Sequence, residues 1–323
     1  MAMQRNNVVF QILLFTLVFV IVNCTGLQLG FYQTTCPRVE KIVYDTTEEY
    51  IHRAPPLAAS LLRMHFHDCF VRGCDGSVLL NSTTTSKAEK DGPPNLSLRG
   101  FEVVEAAKAA LEVECPGVVS CADVLALVAR DAIFQIRGPF WPVPLGRRDG
   151  RVSLFAESFT LPPPFANITL LKTIFDSKGL SVKDLVVLSG AHTVGLSHCS
   201  TIATRLYNFT GNGDTDPSLD PAYVPQLKSI CSQTDRTTLL TMDSTVGEFD
   251  ANYYKGVTQH RGLFQSDAAL LNDNQTSAYV NFQSRTNGFT FFRDFGVSMV
   301  KMGQIGVLTG TDGEIRKTCA LIN

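Results

Sequence analysis

The segment LLRMHFHDCFVRGCDGS, residues 61–77, constrains the fold more than any other part of the chain. Arg63 and His67 stand four positions apart, so on a helix they share one face with their Cβ atoms roughly 5–6 Å apart. A fixed cation beside a titratable imidazole suits the polarisation and deprotonation of a small bound molecule. Hard oxygen ligands for a cation follow at once, on Asp68, Asp75 and Ser77. The chain must therefore place a helix with a reactive face directly before an oxygen-rich loop.

The first residues predict an export signal. Residues 8–22 are almost entirely apolar and follow Arg5. An apolar run of about 15 residues fits a signal-peptide core better than the ~20 residues that a bilayer span requires. We expect residues 1–27 to be a signal peptide and residues 28–323 to be one domain with no membrane segment; an uncleaved anchor is the alternative.

The cysteine count agrees with export. The chain has nine cysteines, and Cys24 falls within the expected signal peptide, which leaves eight. An even number in an exported chain indicates disulfides, but it leaves many connectivities open, and only Cys69 and Cys74 look like a local pair. Zinc is the alternative, although no paired CxxC units occur.

Five Asn-x-Ser/Thr sequons favour a secreted glycoprotein. They begin at Asn81, Asn95, Asn167, Asn208 and Asn274. The formal net charge at pH 7 is −2 and no long basic cluster occurs, so nucleic acid is not an expected partner.

Most of the patterned segments show helical rather than alternating periodicity. Helices are predicted over residues 39–52, 57–70, 101–113, 121–136, 181–188, 221–230, 250–259 and 291–302. A polar stretch with several prolines, residues 138–165, separates two helical halves. The expected class is mainly α, with a cleft between the halves.

A second histidine segment, LSGAHTVG at residues 188–195, suggests a cofactor. His192 stands near the C-terminal end of a predicted apolar helix, with small residues around it at Gly190, Ala191 and Gly195. This leaves room for a large flat group, and haem iron takes a proximal histidine in several families. No CxxCH motif occurs, so such a haem would be held without thioether bonds. A histidine packed in the core is the alternative.

Taken together, these segments make the chain resemble the class III plant secretory haem peroxidases. The resemblance covers residues 28–319 and rests on motifs in family order: FYQTTCP, RMHFHDCFVRGCDGS, EKDGPPN, VSCADVLALVARD, VPLGRRDG, DLVVLSGAHTVG, FDANYY and RGLFQSD. It implies the mainly α haem-peroxidase fold, with two helical sub-domains, haem between them and very little β-structure. The implied enzyme reduces hydrogen peroxide to water and oxidises phenolic donors by one-electron steps, in cell-wall phenol or lignin-type oxidation and in peroxide removal under oxidative stress.

The resemblance also implies residue roles on the distal side. His67 would be the acid–base residue, Arg63 would stabilise negative charge during cleavage of the O–O bond, and Phe66 would shield the iron. Asn95 would accept a hydrogen bond from His67, and Glu89 would tie this network to a calcium loop. Because a glycosylated amide cannot lie buried beside a catalytic histidine, we expect the Asn95 sequon to be unmodified.

On the proximal side, the resemblance makes His192 the axial ligand of haem b. Asp267 would accept the other ring proton of this histidine, an effect that makes an imidazole more electron-donating. Asp267 as an ordinary residue at a helix N-terminus is the alternative. Pro162, with Phe165 beside it, would line the entrance for aromatic donors.

Two calcium sites and four disulfides are implied as well. Calcium 1 would take Asp68, Val71, Gly73, Asp75 and Ser77, with Glu89 acting indirectly. Calcium 2 would take Thr193, Asp243, Thr245, Asp250 and a carbonyl near Glu248, although the interval from Asp243 to Asp250 is one residue shorter than the family's usual one. The implied bridges are Cys36–Cys115, Cys69–Cys74, Cys121–Cys319 and Cys199–Cys231.

Two other functions compete with a peroxidase. His65, His67 and Asp68 could form half of a metallohydrolase site, which would require further spaced His and Asp ligands. A calcium-binding extracellular glycoprotein without turnover is the third possibility. For the peroxidase, we expect a monomer in the apoplast or cell wall, since no long C-terminal extension follows Cys319. Its partners would be hydrogen peroxide and small phenols, with no membrane association after signal cleavage.

Overall fold

The computed structural model describes residues 26–323. The expected signal peptide therefore lies outside the described residues, apart from its last two positions. Among residues 26–323, no helix has both the length and the apolar character that crossing a membrane would require.

Four helices form the first half of the fold: α1 (Val39–Arg53), α2 (Leu57–Val71), α3 (Phe101–Glu114) and α4 (Cys121–Gln135). Both α1 and α2 pack on α4, and α3 packs on α1. Every residue of α4 from Cys121 to Ile133 is buried, which explains why apolar residues occur on all of its sides. Its three charged residues, Asp123, Arg130 and Asp131, are paired in the interior. Helix α2 thus rests on a fully buried neighbour, and this support positions its Arg63 and His67.

The second half contains eight shorter helices. They are α5 (Ile168–Ser177), α6 (Val182–Ser189), α7 (Cys199–Tyr207), α8 (Val224–Ile230), α9 (Asn252–Thr258), α10 (Gln265–Ala269), α11 (Asn274–Thr286) and α12 (Phe291–Met302). Helix α6 is central, because α5, α11 and α12 all pack against it. Ser181 and Asp184 form a complete capping box at its start, which satisfies main-chain N–H groups that would otherwise lack partners.

The described residues contain a single small sheet. Strands β1 (Leu196–His198) and β2 (Leu239–Thr241) pair antiparallel, with Leu196 opposite Thr241. A second apolar cluster is formed by α7, α8, the Cys199–Cys231 bridge and Leu240 of β2. Helices hold 49% of the described residues and strands 4%, so the mainly α prediction is confirmed.

Predicted and observed helices agree closely in the first half and less well in the second. The predicted helix over 221–230 begins only at Val224, because the preceding residues form a turn. The prediction omits four helices, namely α5, α7, α10 and α11. Helix α10 has five residues, too few for a periodic pattern, and the only buried residues of α11 are Thr276, Val280 and Gln283. Such helices depend on tertiary contacts rather than on their own pattern.

Two of the four disulfides and a buried carboxylate hold the ends of the described chain to the first half. The four bridges are Cys36–Cys115, Cys69–Cys74, Cys121–Cys319 and Cys199–Cys231, the pairs that the resemblance implies. The buried carboxylate of Asp149 accepts main-chain N–H bonds from Cys121 at 3.1 Å and Ala122 at 2.9 Å. It also accepts the Arg316 N–H at 2.8 Å. A carboxylate at a helix N-terminus is favourable, so this one group joins α4 to the C-terminal segment.

Gly190 permits a close approach that places the His192 turn. A Cβ atom at this position would lie 2.6 Å from two ring atoms of the buried Phe291, and closer still to the Tyr254 hydroxyl. We expect Gly190→Ala to lower the free energy of unfolding by about 1–3 kcal/mol, the usual cost of overpacking. Denaturant unfolding measures this change.

Gly256→Ala is the matched control, since Gly256 lies within α9 with open space around its Cα. Alanine there should be neutral or stabilising because of its higher helix propensity. Equal stability of the two variants would contradict the packing argument.

Candidate active site

Helix α2 brings Arg63, Phe66 and His67 to one region. The guanidinium of Arg63 donates from Nη1 to Ser97 Oγ at 2.9 Å and from Nη2 to the Pro94 carbonyl at 2.7 Å. Burial lowers the pKa of Arg63 to about 10, so the group remains a cation at neutral pH. The two bonds anchor this long side chain against the loop that follows Glu89.

His67 is a buried, neutral base. Its Nδ1 lies 2.5 Å from Asn95 Oδ1, and Asn95 Nδ2 donates to the Glu89 main-chain carbonyl at 2.8 Å. Because the Asn95 oxygen must accept, Nδ1 of His67 carries the proton, and Nε2 is left as an acceptor. Burial and, second, the cation of Arg63 hold the pKa of His67 well below its usual value. The imidazole is therefore ready to take a proton from a bound molecule.

His65 lies apart from this arrangement. It is buried with Nδ1 at 3.7 Å from Cys69 Sγ, and burial together with Arg147 lowers its pKa to about 3. Within residues 26–323, the one candidate metal-ligand cluster that includes a histidine is His65, Asp68 and Cys69. Its sulfur is already joined to Cys74, and His67 is not a member. The geometry therefore offers nothing to the metallohydrolase alternative.

His192 lies in a 3₁₀ turn, Gly190–Val194, directly after α6 and not within the helix itself. Its Nδ1 donates to Asp267 Oδ1 at 2.8 Å. Asp267 is the third residue of α10, and its Oδ2 accepts the Phe264 N–H at 2.8 Å. Asp267 thus fills both of the roles considered from sequence, as the partner of a histidine and as a residue that caps a helix.

The surroundings of His192 fit a haem. With Nδ1 bonded to Asp267, the free nitrogen is Nε2, the atom that an axial histidine presents to iron. The His192 side chain is 36% exposed although Asp267 is 1% exposed, so part of the ring lies open while its anchor is buried. Rings of Phe264 and Tyr253 stand edge-on to it. The 190–194 turn also contacts α2, which brings the two histidine segments together.

The first oxygen-rich loop has the character of a cation-binding site. The side chains of Asp68, Asp75, Ser77 and Glu89 are all buried. Ser77 Oγ and both carboxylate oxygens of Glu89 lack a hydrogen-bond partner within the described part of the chain. Burial raises the pKa of Glu89 to about 8 and that of Asp68 well above its usual value. Several buried acids with orphaned oxygens fit a divalent cation.

The two carbonyl positions expected in this loop differ in their surroundings. The Val71 carbonyl accepts a bond from Lys178 Nζ at 3.1 Å, which leaves it one lone pair. Gly73 has φ +107°, and a Cβ there would meet the main chain of Gly306. The Gly73 carbonyl accepts the Asp75 N–H at 2.8 Å. This turn thus depends on a glycine.

The second loop converges despite its short interval. The Thr193 hydroxyl donates to Asp243 Oδ2 at 2.6 Å and lies 3.2 Å from Asp250 Oδ1. The Thr245 hydroxyl donates to Asp243 Oδ1 at 3.1 Å, and the Glu248 carbonyl is 3.5 Å from Thr193 Oγ1. Burial raises the pKa of Asp243. All the expected oxygen groups therefore lie together, and hard oxygen groups in such a cluster fit calcium.

The expected donor entrance lies on the loop before α5. Pro162 is half-buried and Phe165 is 69% exposed. The Pro164 carbonyl accepts the Ser266 N–H at 3.0 Å, which ties this loop to the helix that carries Asp267. An exposed aromatic ring on an anchored loop can meet a planar ligand.

Sequence reasoning missed three residues that hold the site. Ser97 and Pro94 hold the Arg63 guanidinium, and Tyr253 donates its hydroxyl to Asp267 Oδ1 at 2.9 Å. Tyr253 stands in FDANYY, but no spacing rule connects it to a carboxylate fourteen positions later. Only the packing of α9 near α10 makes this contact visible.

Comparison with known proteins gives a consistent answer. The peroxidase family model, described as "Peroxidase", matches residues 43–285. Peroxidase 27 of Arabidopsis thaliana is 56% identical over 319 residues, which cover 98% of this chain and 99% of that protein. Peroxidase 56 of the same plant is 57% identical, covering 93% of this chain and 92% of the relative. Peroxidase 1 of Oryza sativa subsp. japonica is 53% identical, with 99% and 100% covered.

The match extends over most of the chain and includes both histidine segments. It agrees with the helical fold and with the paired imidazoles described above. The family implies a haem cofactor and hydrogen peroxide as substrate. On this evidence, the chain belongs to the peroxidase family and is a plant class III haem peroxidase.

Proposed function

We propose that this peroxidase holds haem b, without covalent bonds, between His192 and the face of α2 that carries Arg63 and His67. One observation supports this most directly. Each histidine gives its Nδ1 proton to a fixed acceptor, an amide oxygen of Asn95 or a carboxylate of Asp267. The Nε2 atom of each histidine is then left for chemistry, and the two segments that carry these histidines, α2 and the 190–194 turn, contact each other. A neutral acceptor suits a proton-transfer residue, and a charged one suits an iron ligand.

When bound, haem supplies the redox chemistry that cleaves the O–O bond and accepts single electrons from donors. The chain supplies proton transfer and charge. His67 takes the proton of hydrogen peroxide at Nε2 and returns it to the departing oxygen, which leaves as water. The Arg63 cation stabilises the negative charge that develops on that oxygen. Phe66 stands edge-on to His67 and limits direct approach by bulky donors.

In this proposal His192 would hold the haem iron, and Asp267 would set the electron-donating strength of its imidazole. A buried carboxylate that accepts the Nδ1 proton gives the ring partial anionic character. This character would favour the oxidised state of a bound haem iron.

Two calcium ions complete the proposal. Asp68 follows His67, and Thr193 follows His192, so each ion would fix one histidine segment. Calcium 1 would take the side chains of Asp68, Asp75 and Ser77 and the carbonyls of Val71 and Gly73, with Glu89 acting indirectly. Calcium 2 would take Thr193, Asp243, Thr245, Asp250 and the Glu248 carbonyl.

The donors we propose are small phenols that meet the protein at Pro162 and Phe165. The apolar, exposed ring of Phe165 and the anchored proline loop support this assignment. Secretion to the apoplast or cell wall is supported by the apolar N-terminal segment, by the four disulfides and by the sequons. A monomer is proposed, acting in phenol or lignin-type oxidation and in peroxide removal.

His67→Ala tests the acid–base role. We expect the second-order rate constant for reaction with hydrogen peroxide to fall about 10²- to 10⁴-fold, because general acid–base catalysis contributes factors of this size. Stopped-flow absorbance of the haem-loaded enzyme measures the rate. His52→Ala is the control, since His52 is an exposed residue at the end of α1 and should react at the wild-type rate. A His67→Ala enzyme with full peroxide reactivity would show that another group moves the proton.

Calcium removal tests the two loops. Buried carboxylates without their cation are costly, and an ion at 100 times its Kd stabilises the fold by about 3 kcal/mol. We expect chelation to lower Tm, and Asp75→Asn to reduce the bound calcium from two ions to one. Metal analysis and thermal unfolding measure these changes. Asp176→Asn alters an exposed carboxylate outside both loops and should keep two ions. If Asp75→Asn also kept two, calcium 1 would be misassigned.

The Asn95 sequon should carry no glycan. Asn95 is 2% exposed, and its oxygen and nitrogen both serve in the network from His67 to Glu89. The asparagines of the other four sequons are exposed. Peptide mapping by mass spectrometry of the plant-expressed enzyme should find Asn95 unmodified even where the others carry glycans. An intact glycan at Asn95 on active enzyme would exclude it as the partner of His67.

A further inference from the structure

The carboxylate that holds His192 has a second side-chain donor. Asp267 Oδ1 accepts the His192 Nδ1–H at 2.8 Å and the Tyr253 hydroxyl at 2.9 Å. Tyr253 and Asp267 are each 1% exposed. An ionised carboxylate can only accept, so the phenol donates, and the histidine and the tyrosine compete for the same oxygen.

This competition has an electronic consequence. The negative charge of Asp267 pulls on the Nδ1 proton and makes His192 a stronger donor to a metal. A phenol O–H bond to the same oxygen withdraws part of that charge. Burial, and next the charge of Asp267, raise the pKa of Tyr253 well above its usual value, so the phenol stays protonated and keeps donating. In a buried site, a hydrogen bond to a charged group is strong.

We propose that Tyr253 is a positioning residue that limits the electron donation of His192 and thereby sets the reduction potential of the bound haem. The inference rests on the proposed axial role of His192 and goes beyond it. Tyr253 also fixes the carboxylate in place, because Oδ1 and Oδ2 of Asp267 are both engaged, with Oδ2 on the Phe264 N–H. A carboxylate held at both oxygens cannot rotate away from the imidazole.

The neighbouring Tyr254 provides an unusually close control. It is fully buried, like Tyr253, and stands next to it in α9. Its hydroxyl donates to the Val186 carbonyl at 3.1 Å and does not contact Asp267. Tyr254→Phe therefore removes the same atom from the same helix without changing the carboxylate. Any general effect of losing a buried hydroxyl appears in both variants, and only Tyr253→Phe changes the charge on Asp267.

The experiment compares haem-loaded wild type, Tyr253→Phe, Tyr254→Phe, Asp267→Asn and His192→Ala. The ferric–ferrous potential is measured by spectroelectrochemistry, and the iron–histidine stretch of the ferrous form by resonance Raman spectroscopy. We expect Tyr253→Phe to shift the equilibrium about tenfold toward the ferric form, about 59 mV for one electron, and to raise the stretching frequency. Asp267→Asn should shift both in the opposite direction. Tyr254→Phe should match the wild-type potential and frequency even where its Tm falls.

Two outcomes distinguish failure of the inference about Tyr253 from failure of the proposed function. If Asp267→Asn shifts the potential but Tyr253→Phe does not, Tyr253 has no electronic role, and His192 remains the ligand. If the iron–histidine stretch persists in His192→Ala, the axial assignment itself is wrong, and the inference about Tyr253 falls with it. A Tyr254→Phe shift equal to that of Tyr253→Phe would reduce the effect to general loosening of α9 and overturn the inference.

Discussion

The site depends on hydrogen bonds that determine which nitrogen of each histidine carries the proton. Asn95 and Asp267 each accept an Nδ1–H, and both Nε2 atoms are freed for chemistry. The two acceptors differ in charge, so two similar side chains acquire different properties. The amide leaves His67 a neutral ring whose pKa is low because of burial and Arg63. The carboxylate makes His192 electron-rich. Without these acceptors, neither imidazole would have a defined tautomer.

Residues that are distant in the chain from the two histidines hold Asn95 and Asp267 in place. Asn95 is fixed through the main chain at Glu89, whose carboxylate lies buried in the first oxygen-rich loop together with Asp68. Asp267 is fixed through α10 and Tyr253. Each oxygen-rich loop thus adjoins one histidine in sequence and supports its acceptor or its turn. Buried acids of this kind are costly without a cation, which explains why the proposed ions would affect both stability and reactivity.

Prediction from sequence succeeded for features that depend on residues only a few positions apart in the chain. Arg63 and His67 share a face because they are four residues apart in α2, and helices α1 to α4 begin where predicted. It failed for α10 and α11, whose buried surface is small. It also left the role of Asp267 undecided, since the spacing fits a helix cap and a histidine partner equally well.

By itself, the sequence determined the helical class and the family, because these follow from local periodicity and from motifs in order. It also proposed the residues that would carry the chemistry. The tertiary structure decided which atoms meet. Only folding shows that Ser97 and Pro94 hold Arg63 and that the Asp243 side chain reaches Thr193 in spite of the shorter loop. Only folding shows that Tyr253 shares an oxygen with His192. The physical reason is that hydrogen bonds depend on ångström distances between segments, and linear spacing does not encode those distances.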